Sequence, residues 1–126
     1  MSSSLAQFHE LQLTQHAATE RCFQASEIRD WCEMANIATG YQHVPEPLIA
    51  GLFSYLLGEK LPGHGTNYLK QSMRFASKAR IGERLTASVI ITRLRPDKAL
   101  VDLRALCTGE DGRMICAGES LVLFQR

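Results

Sequence analysis

The sequence shows almost no excess of either charge. Among its 126 residues, 14 lysines and arginines are balanced by 13 aspartates and glutamates, for a formal net charge of +1. A nucleic-acid surface needs clustered positive charge, so this balance argues against a nucleic-acid partner. The longest apolar run, 47–57, falls well short of the roughly 20 residues that a membrane-spanning helix needs. We therefore expect neither nucleic acid nor a membrane as a partner.

Signals for metal binding and export are also missing. The cysteines show no CxxC or Cys/His ligand spacing, and the histidines are scattered, so we expect no metal site. The first twelve residues are polar and mixed, whereas a secretory signal joins a basic region to an apolar one. We therefore expect a cytoplasmic location, in which the thiols stay reduced and mostly buried. These thiols belong to Cys22, Cys32, Cys107 and Cys116.

The first part of the chain predicts a strand and a short helix. We expect residues 1–17 to be frayed and a strand to form near Ala18–Phe23. Ser26 is a suitable N-cap for the helix that follows. The next apolar residues recur at the spacing of one helix face, and we expect the tryptophan among them to lie in the core. They are Ile28, Trp31, Cys32 and Ala35.

A second helix is predicted to begin at Pro47 and to end at the proline stop Leu61-Pro62-Gly63. Proline suits the first helical turn, because its missing N–H would have no partner there. Almost every position from Leu48 to Leu57 is apolar, which predicts a helix buried on nearly all sides. A stripe of small residues along it indicates that a backbone or a ligand packs close. The stripe consists of Ala50, Gly51, Ser54 and Gly58.

The second half of the chain predicts four strands separated by turn signals. Leu85, Ala87, Val89 and Ile91 alternate with more polar residues, as in a sheet with one face on a core. An antiparallel meander that follows one buried helix can cover it only by wrapping around it. We therefore predict a single α+β domain over 1–126. The strands are expected at Tyr68–Phe75, Leu85–Leu94, Ala99–Cys107 and Met114–Phe124.

Four blocks of the sequence resemble the MaoC-like family, specifically its (R)-specific enoyl-CoA hydratases. They are LFSYLLGEKLPGHGTNYLKQSMRF (Leu52–Phe75), IGERLTASV (Ile81–Val89), RPDKALVDLRALC and GESLVLF. Their order and spacing match the family across roughly the last 75 residues. The resemblance implies a hot-dog fold, a homodimer and acyl thioesters of coenzyme A or a carrier protein as substrates, with no cofactor.

The active-site segment departs from the family pattern. The family carries an Asp-x-Asn-Pro-x-His motif and a His-Gly pair that opens the central helix. Here no aspartate lies between Asp30 and Asp97. Pro45 and Glu46 occupy the His-Gly positions, and the preceding loop is shorter by roughly a dozen residues. The usual catalytic pair is therefore absent in its usual form, and an N–H donor for the thioester oxygen is not evident at Pro45.

Two residues near the helix start are candidates for the chemistry. Water addition to an enoyl thioester needs a base and an acid within reach of the substrate. His43 is the histidine nearest the helix start, and the segment His43-Val44-Pro45 resembles the His-x-Pro segment of the carrier-protein dehydratases. We predict His43 as the base and Glu46 as the acid. The alternatives are an exposed loop histidine and a carboxylate favoured by the helix dipole.

Six other residues are predicted to contact the substrate. Gly63, Gly65 and Tyr68 match the family segment that lines the thioester channel. The alternative is an ordinary glycine turn. By the same resemblance Ser54, Leu57 and Leu121 line the acyl pocket, with core packing as the alternative. A row of basic residues either meets coenzyme A phosphates or forms a solvated edge. The row consists of Lys70, Arg74, Lys78 and Arg80.

Three functions follow from these features. The first is hydration of enoyl-CoA, or dehydration of 3-hydroxyacyl thioesters, in fatty-acid or hydroxyalkanoate metabolism. The second is a non-catalytic subunit that binds acyl thioesters, alone or as a heterodimer with an active paralogue. The third is an acyl-thioesterase, which needs a carboxylate on the central helix; Glu59 is the candidate, and it lies at the helix end.

Overall fold

The computed structural model describes residues 7–125. Of the predicted frayed start, residues 1–6 lie outside the described residues, while Phe8–Glu10 form a short 3-10 turn and the first strand begins at His16. The helices are α1 (Ala25–Met34) and α2 (Glu46–Tyr55), and α2 continues as a π-helical turn over Leu56–Lys60. The strands are β1 (His16–Cys22), β2 (Thr66–Phe75), β3 (Arg84–Arg95), β4 (Leu100–Thr108) and β5 (Met114–Phe124), and a 3-10 turn over Pro96–Lys98 joins β3 to β4.

The strands form one antiparallel sheet in the order β1-β3-β4-β5-β2. Its inner face carries the alternating apolar residues that the sequence predicted, and all of those on β3 are buried. Phe53, Leu56 and Leu57 of the central helix are fully buried in the same core. The predicted α+β arrangement of a sheet around one helix is therefore confirmed. Within residues 7–125 no helix is long and apolar enough to span a bilayer.

The N-cap of helix α1 lies two residues earlier than predicted. Gln24 is the N-cap, and its N–H donates to the carboxylate of Glu27 over 3.0 Å. The prediction of Ser26 as N-cap is therefore wrong. Glu27 is in the N3 position of a capping box opened by Gln24, and this reciprocal pair sets the start of the helix. The prediction of Trp31 as a core residue is also wrong, since Trp31 is only half-buried at the margin of the core.

Helix α2 is not buried on nearly all sides. Gly51, Ser54 and Tyr55 are exposed. A Cβ atom added at Gly51 or Gly58 would meet no atom within 4 Å. No atom of residues 7–125 packs on the stripe at Gly51 or Gly58, so the close approach that the stripe predicts is not made at these two positions. The apolar sequence concealed this amphipathicity, because glycine, alanine and serine fit an exposed helix face as well as a buried one.

A buried carboxylate connects two turns at one end of the sheet. Glu83 accepts hydrogen bonds from the N–H of Arg80 over 2.6 Å and from the guanidinium of Arg113 over 2.8 Å. Burial opposes ionisation of Glu83, but these bonds outweigh it and hold the pKa of Glu83 below its usual range. The sequence predicted only a turn before the strand at Leu85–Leu94, so the network is an additional finding.

The thiols agree with their prediction. All four cysteines are free, and Cys32, Cys107 and Cys116 are buried while Cys22 is half-buried. Cys107 and Cys116 are directly opposite each other in the β4–β5 ladder. Burial raises the pKa of Cys107 to about 11, with smaller contributions from Cys116 and Glu83. A thiol with so high a pKa is almost entirely protonated at neutral pH and is a poor nucleophile.

Candidate active site

A cavity of about 530 Å³ opens at the N-terminal end of α2. The predicted catalytic residues His43 and Glu46 both line it. The remaining wall comes from α1, from the loop before α2 and from the segment that follows β2. These lining residues are Trp31, Ile37, Tyr41, Gln42, Val44, Pro45, Pro47, Ile49, Phe75, Ser77, Lys78 and Ala79.

Backbone bonds hold the loop before α2 against the segment that follows β2. The N–H of Val44 donates to the carbonyl of Ala79 over 2.9 Å. His43 forms an isolated antiparallel bridge with Arg80. Because Val44 is buried between these bonds, its neighbour His43 is held at the cavity with an exposed side chain. His43 and Val44 therefore both line the cavity, and of the two only the His43 side chain is exposed.

The start of α2 shapes the electrostatics of the cavity. Pro45 is the N-cap and supplies no side-chain cap, and the N–H of Leu48 donates to its carbonyl over 3.1 Å. The N–H of Glu46 has no acceptor within residues 7–125. It is therefore a donor available to a ligand at a helix N-terminus, where the dipole favours negative charge. Pro45 removes one donor, but the next residue in the chain provides another.

Glu46 also lies close to Cys116, a buried thiol of β5. Burial raises the pKa of the Cys116 thiol, and the nearby Glu46 carboxylate raises it further. Cys116 is in register with Phe75, which lines the cavity. Glu46 therefore lies near the strand residues behind the cavity as well as at the cavity itself.

Tyr41 and Trp31 are cavity residues that the sequence did not predict. Their rings meet edge to face, with centroids 6.3 Å apart and an interplanar angle of 62°. The contact orients Tyr41 on one wall of the cavity, and Tyr41 is 45% exposed. The only sequence signal was its position two residues before His43, in a loop without periodicity.

Three predicted channel residues lie at the other end of the central helix. Gly63 and Gly65 form the turn after the π-helical segment, with φ values of +100° and +105° that favour glycine. Tyr68 follows at the start of β2 and is 43% exposed. The helical stretch between Glu46 and this turn is roughly 22 Å long at 1.5 Å per residue. None of the three lines the cavity that holds His43.

The three predicted acyl-pocket residues are not brought together within one copy. Leu57 is fully buried in the core, whereas Ser54 is exposed on α2. Leu121 is in register with Lys70 and Asp102, on the face of the sheet opposite to the buried Val122. The structure does not bring Ser54, Leu57 and Leu121 together within one copy, and their contact with an acyl group stays a prediction. Successive side chains of a strand point to opposite faces of the sheet, so an assignment that is wrong by one residue places a side chain on the wrong face.

Glu59, the carboxylate that the thioesterase alternative needs, lies away from the cavity. Glu59 lies at the end of the central helix and pairs with His64 over 3.0 Å. Both side chains are about half exposed, and neither lines the cavity. Among residues 7–125 there is no group of three histidine, cysteine or carboxylate side chains that could hold a metal ion.

Comparison with known proteins agrees with this architecture. The chain is similar to the (R)-specific enoyl-CoA hydratase of Rhodospirillum rubrum, with 42% identity over 76 residues, 60% of this chain and 52% of that protein. It is also similar to the 3-hydroxybutyryl-CoA dehydratase of Methylorubrum extorquens, with 36% identity over 73 residues, 58% of this chain and 46% of that protein. The chain thus spans about half the length of these curated relatives.

A solved structure extends the similarity to nearly the whole chain. The (R)-hydratase from A. caviae, described as involved in PHA biosynthesis, matches with a TM-score of 0.83 and 31% identity over 91% of this chain and 98% of that one. No family model matches the chain. The fold is therefore that of the hot-dog hydratases. Within that class, the chain belongs to the (R)-specific enoyl-CoA hydratase family.

Proposed function

We propose that this chain hydrates an enoyl thioester and catalyses the reverse dehydration of a 3-hydroxyacyl thioester. The observation that carries the proposal is the cavity at the start of α2. The cavity is lined by the imidazole residue His43 and by Glu46, which has a carboxyl group and a backbone N–H without an acceptor within residues 7–125. The chain is also similar in structure to an (R)-hydratase. An imidazole, a carboxyl group and a free N–H are the three kinds of group that the reaction needs.

In this proposal the chemistry is divided between His43 and the first turn of α2. His43 takes a proton from water as the water oxygen attacks the β carbon of the enoyl group. The N–H of Glu46 donates to the thioester oxygen, on which negative charge develops. The carboxyl group of Glu46, in its acid form, then delivers a proton to the α carbon, so that one water is added across the double bond. His43 releases the proton that it took to solvent, and Glu46 regains one from solvent before the next turnover. In the reverse direction the same groups exchange roles.

We further propose that the site is completed by a second copy. Within residues 7–125 β2 has a neighbour strand on one side only, and an open edge of this kind pairs readily with another strand. In a two-fold antiparallel pairing, residue i meets residue j and residue j meets residue i. The Thr66 end of β2 would then face the Phe75 end of the partner strand. The segment with Gly63, Gly65 and Tyr68 would thereby approach the cavity of the other copy.

A non-catalytic acyl-thioester-binding subunit is the second candidate. The Glu46 carboxylate favours it, since that negative charge lies at the same residue as the N–H that would stabilise the enolate. The thioesterase alternative has less support, because Glu59 is engaged with His64 away from the cavity.

Turnover of the wild-type protein separates these candidates. Purified chain would be mixed with crotonyl-CoA, and with a longer enoyl-CoA, while loss of the conjugated thioester is followed by absorbance. We expect hydration that depends on enzyme concentration. Absence of hydration with both substrates, together with a higher melting temperature in butyryl-CoA, would instead identify a binding subunit. Release of free thiol without hydration would identify a thioesterase.

A further inference from the structure

An imidazole and a carboxylate form a pair at the C-terminal end of the central helix. Nε2 of His64 lies 3.0 Å from Oε2 of Glu59, and both side chains are about half exposed. A carboxylate beside one ring nitrogen favours the proton on that nitrogen and leaves the other nitrogen as a hydrogen-bond acceptor. A histidine oriented in this way is suited to accept a proton or a hydrogen bond from a reacting group. Neither residue lines the cavity of its own copy.

Hydrogen bonds fix the turn that carries His64. The N–H of Gly63 donates to the carbonyl of Leu57 over 3.0 Å. The hydroxyl of Thr66 donates to the carbonyl of Gly63 over 2.7 Å. The turn is thereby attached both to the central helix and to the start of β2. A strand that pairs with the free edge of β2 therefore determines what His64 faces.

The register of a two-fold pairing places His64 beside a residue of the second copy. Strand β2 is last in the sheet order, so within residues 7–125 one of its edges has no neighbour. Pairing of that edge with β2 of a second copy, over its full length, places Thr66 opposite Phe75. The chain keeps its course beyond Phe75, because the N–H of Ala76 still donates to the neighbouring strand β5 over 2.9 Å. The residue two before Thr66 then comes opposite the residue two after Phe75, so His64 of one copy faces Ser77 of the other.

Ser77 belongs to the candidate active site. It lines the same cavity as His43 and Glu46. Residues directly opposite each other in an antiparallel pair have Cα atoms about 4.5–5.5 Å apart, so the partner's imidazole reaches the cavity. Tyr68 and Leu69, which are 43% and 55% exposed on the edge strand, are covered by the same contact. The second copy therefore brings to the cavity an imidazole and its carboxylate partner.

We propose that the partner's His64 is a second catalytic residue of the site, and that the partner's Glu59 positions it. The proposal rests on the hydratase function and on the pairing of two copies proposed above. Nδ1 of His64 accepts a hydrogen bond from one O–H of the attacking water, while His43 removes the other proton as the water oxygen bonds to the β carbon. The O–H that remains becomes the hydroxyl group of the product. The water is thereby held between two imidazoles from different copies, and a single chain has no complete site.

Mixed dimers of defined composition test whether His64 acts across the interface. His43→Ala and His64→Ala chains would be co-expressed with different affinity tags, and the mixed dimer isolated by two successive purifications. We expect the His64→Ala homodimer to lose at least about tenfold in kcat with crotonyl-CoA, with its melting temperature nearly unchanged. The mixed dimer contains one site with both histidines and one site with neither. We therefore expect it to recover about half of the wild-type kcat.

The reciprocal mixed dimer is the matched control. It joins a wild-type chain to a His43→Ala/His64→Ala chain, so its composition is the same, but each site lacks one histidine when His64 acts in the partner's site. We expect its kcat to stay near that of the His64→Ala homodimer. Half of the wild-type kcat in this dimer, with no recovery in the first, would overturn the proposal, and so would an unchanged kcat in the His64→Ala homodimer.

The positioning role of Glu59 has its own readout. Glu59→Gln should lower kcat in the wild-type background and leave it unchanged in the His64→Ala background, because residues that act as a unit are not additive. Equal losses in both backgrounds would show that Glu59 acts on the fold and not through His64.

A cross-link tests the placement of His64 independently of turnover. The His64→Cys/Ser77→Cys variant would be treated with oxidised glutathione and examined on a non-reducing gel. Directly opposite positions have the Cα separation that a disulfide needs, so we expect a covalent dimer. Ser77→Cys alone is the control, since it keeps the native cysteines and lacks the facing thiol. A covalent dimer from a protein whose wild type has no turnover would support the placement of His64 and refute the hydratase. Wild-type turnover without a covalent dimer would overturn the placement of His64 and leave the hydratase intact.

Discussion

The guanidinium of Arg113 donates a hydrogen bond to the buried carboxylate of Glu83 over 2.8 Å, although 30 residues separate them in the chain. The bond connects the turn before β3 to the hairpin between β4 and β5. Glu83 also accepts from the N–H of Arg80 over 2.6 Å and from the N–H of Glu110 over 3.1 Å. One side chain therefore satisfies donors from two separate turns. Its removal takes this acceptor from the N–H groups of Arg80 and Glu110, while Arg113 keeps its bonds to Asp111 and to the carbonyl of Lys78.

We expect Glu83→Ala to destabilise the fold by about 3 kcal/mol. Loss of the buried carboxylate leaves the N–H groups of Arg80 and Glu110 without this acceptor and removes one of the two carboxylate partners of Arg113. Urea unfolding followed by circular dichroism would measure the change. Glu33→Ala is the control, since Glu33 is exposed on α1 and a surface substitution of this kind shifts stability by roughly 0.5 kcal/mol or less. Equal stability of the two variants would contradict the role assigned to Glu83.

Acid should weaken the protein partly through the same residue. The pKa of Glu83 is below its usual range, because hydrogen bonds to the carboxylate outweigh the cost of its burial. A pKa that is lower in the folded state stabilises the fold above the unfolded value of roughly 4.3, and this contribution is lost as the pH falls through the folded value. We expect the free energy of unfolding to fall more steeply with acidification in the wild type than in Glu83→Gln. Parallel pH profiles would show that Glu83 does not contribute.

The strands were predictable because each of their two faces has a single environment, either the core or solvent. On β3 the alternation of Leu85, Ala87 and Val89 with polar residues determines which face is buried, and the observed ends of β5 match the predicted ones. The exposed face of α2 was not predictable. Its residues are small and apolar, so their pattern is the same whether solvent, a partner or the core lies against them.

The candidate site was predictable in part. His43 and Glu46 are close in sequence and flank the start of one helix, so the chain itself brings them to one cavity. Tyr41 and Lys78 also line the cavity. Their positions depend on contacts between separate segments of the chain, and a local sequence pattern does not predict such contacts. Leu121 was assigned by resemblance, and strand register placed it on the other face of the sheet.

Gly118→Ala should destabilise the sheet by roughly 1–3 kcal/mol, the usual cost of overpacking. An added Cβ would collide with the carbonyl oxygen of Ser72 on the neighbouring strand. Backbone atoms of a paired strand have little freedom to move aside without loss of ladder hydrogen bonds. Thermal melting would measure the loss, with Ser88→Ala on β3 as a control strand substitution. A Gly118→Ala protein as stable as the control would mean that the two strands separate more easily than their register implies.

Gly51→Leu should leave the chain folded and weaken its association with a second copy. The single chain has open space at Gly51, so the added side chain meets no core atom. A partner that approaches the small-residue stripe would be held away by a leucine. Sedimentation at micromolar concentration would report the association, and circular dichroism would report the fold. Loss of folding would show instead that the chain itself closes over the stripe, and unchanged association would place the interface elsewhere.

His43→Ala should lower the hydration rate by roughly 10²–10⁴-fold, the usual contribution of a positioned base. The melting temperature should change little, because the His43 side chain is exposed and its bridge to Arg80 is made by backbone atoms. Initial rates with crotonyl-CoA would measure the loss. His9→Ala is the matched control, since His9 lies on the 3-10 turn before β1 and does not line the cavity. If His43→Ala and the wild type turn over equally fast, His43 is not the base. Tyr41 is then the next group to test, because it lines the same cavity. Tyr41→Phe removes its hydroxyl and keeps the ring that meets Trp31.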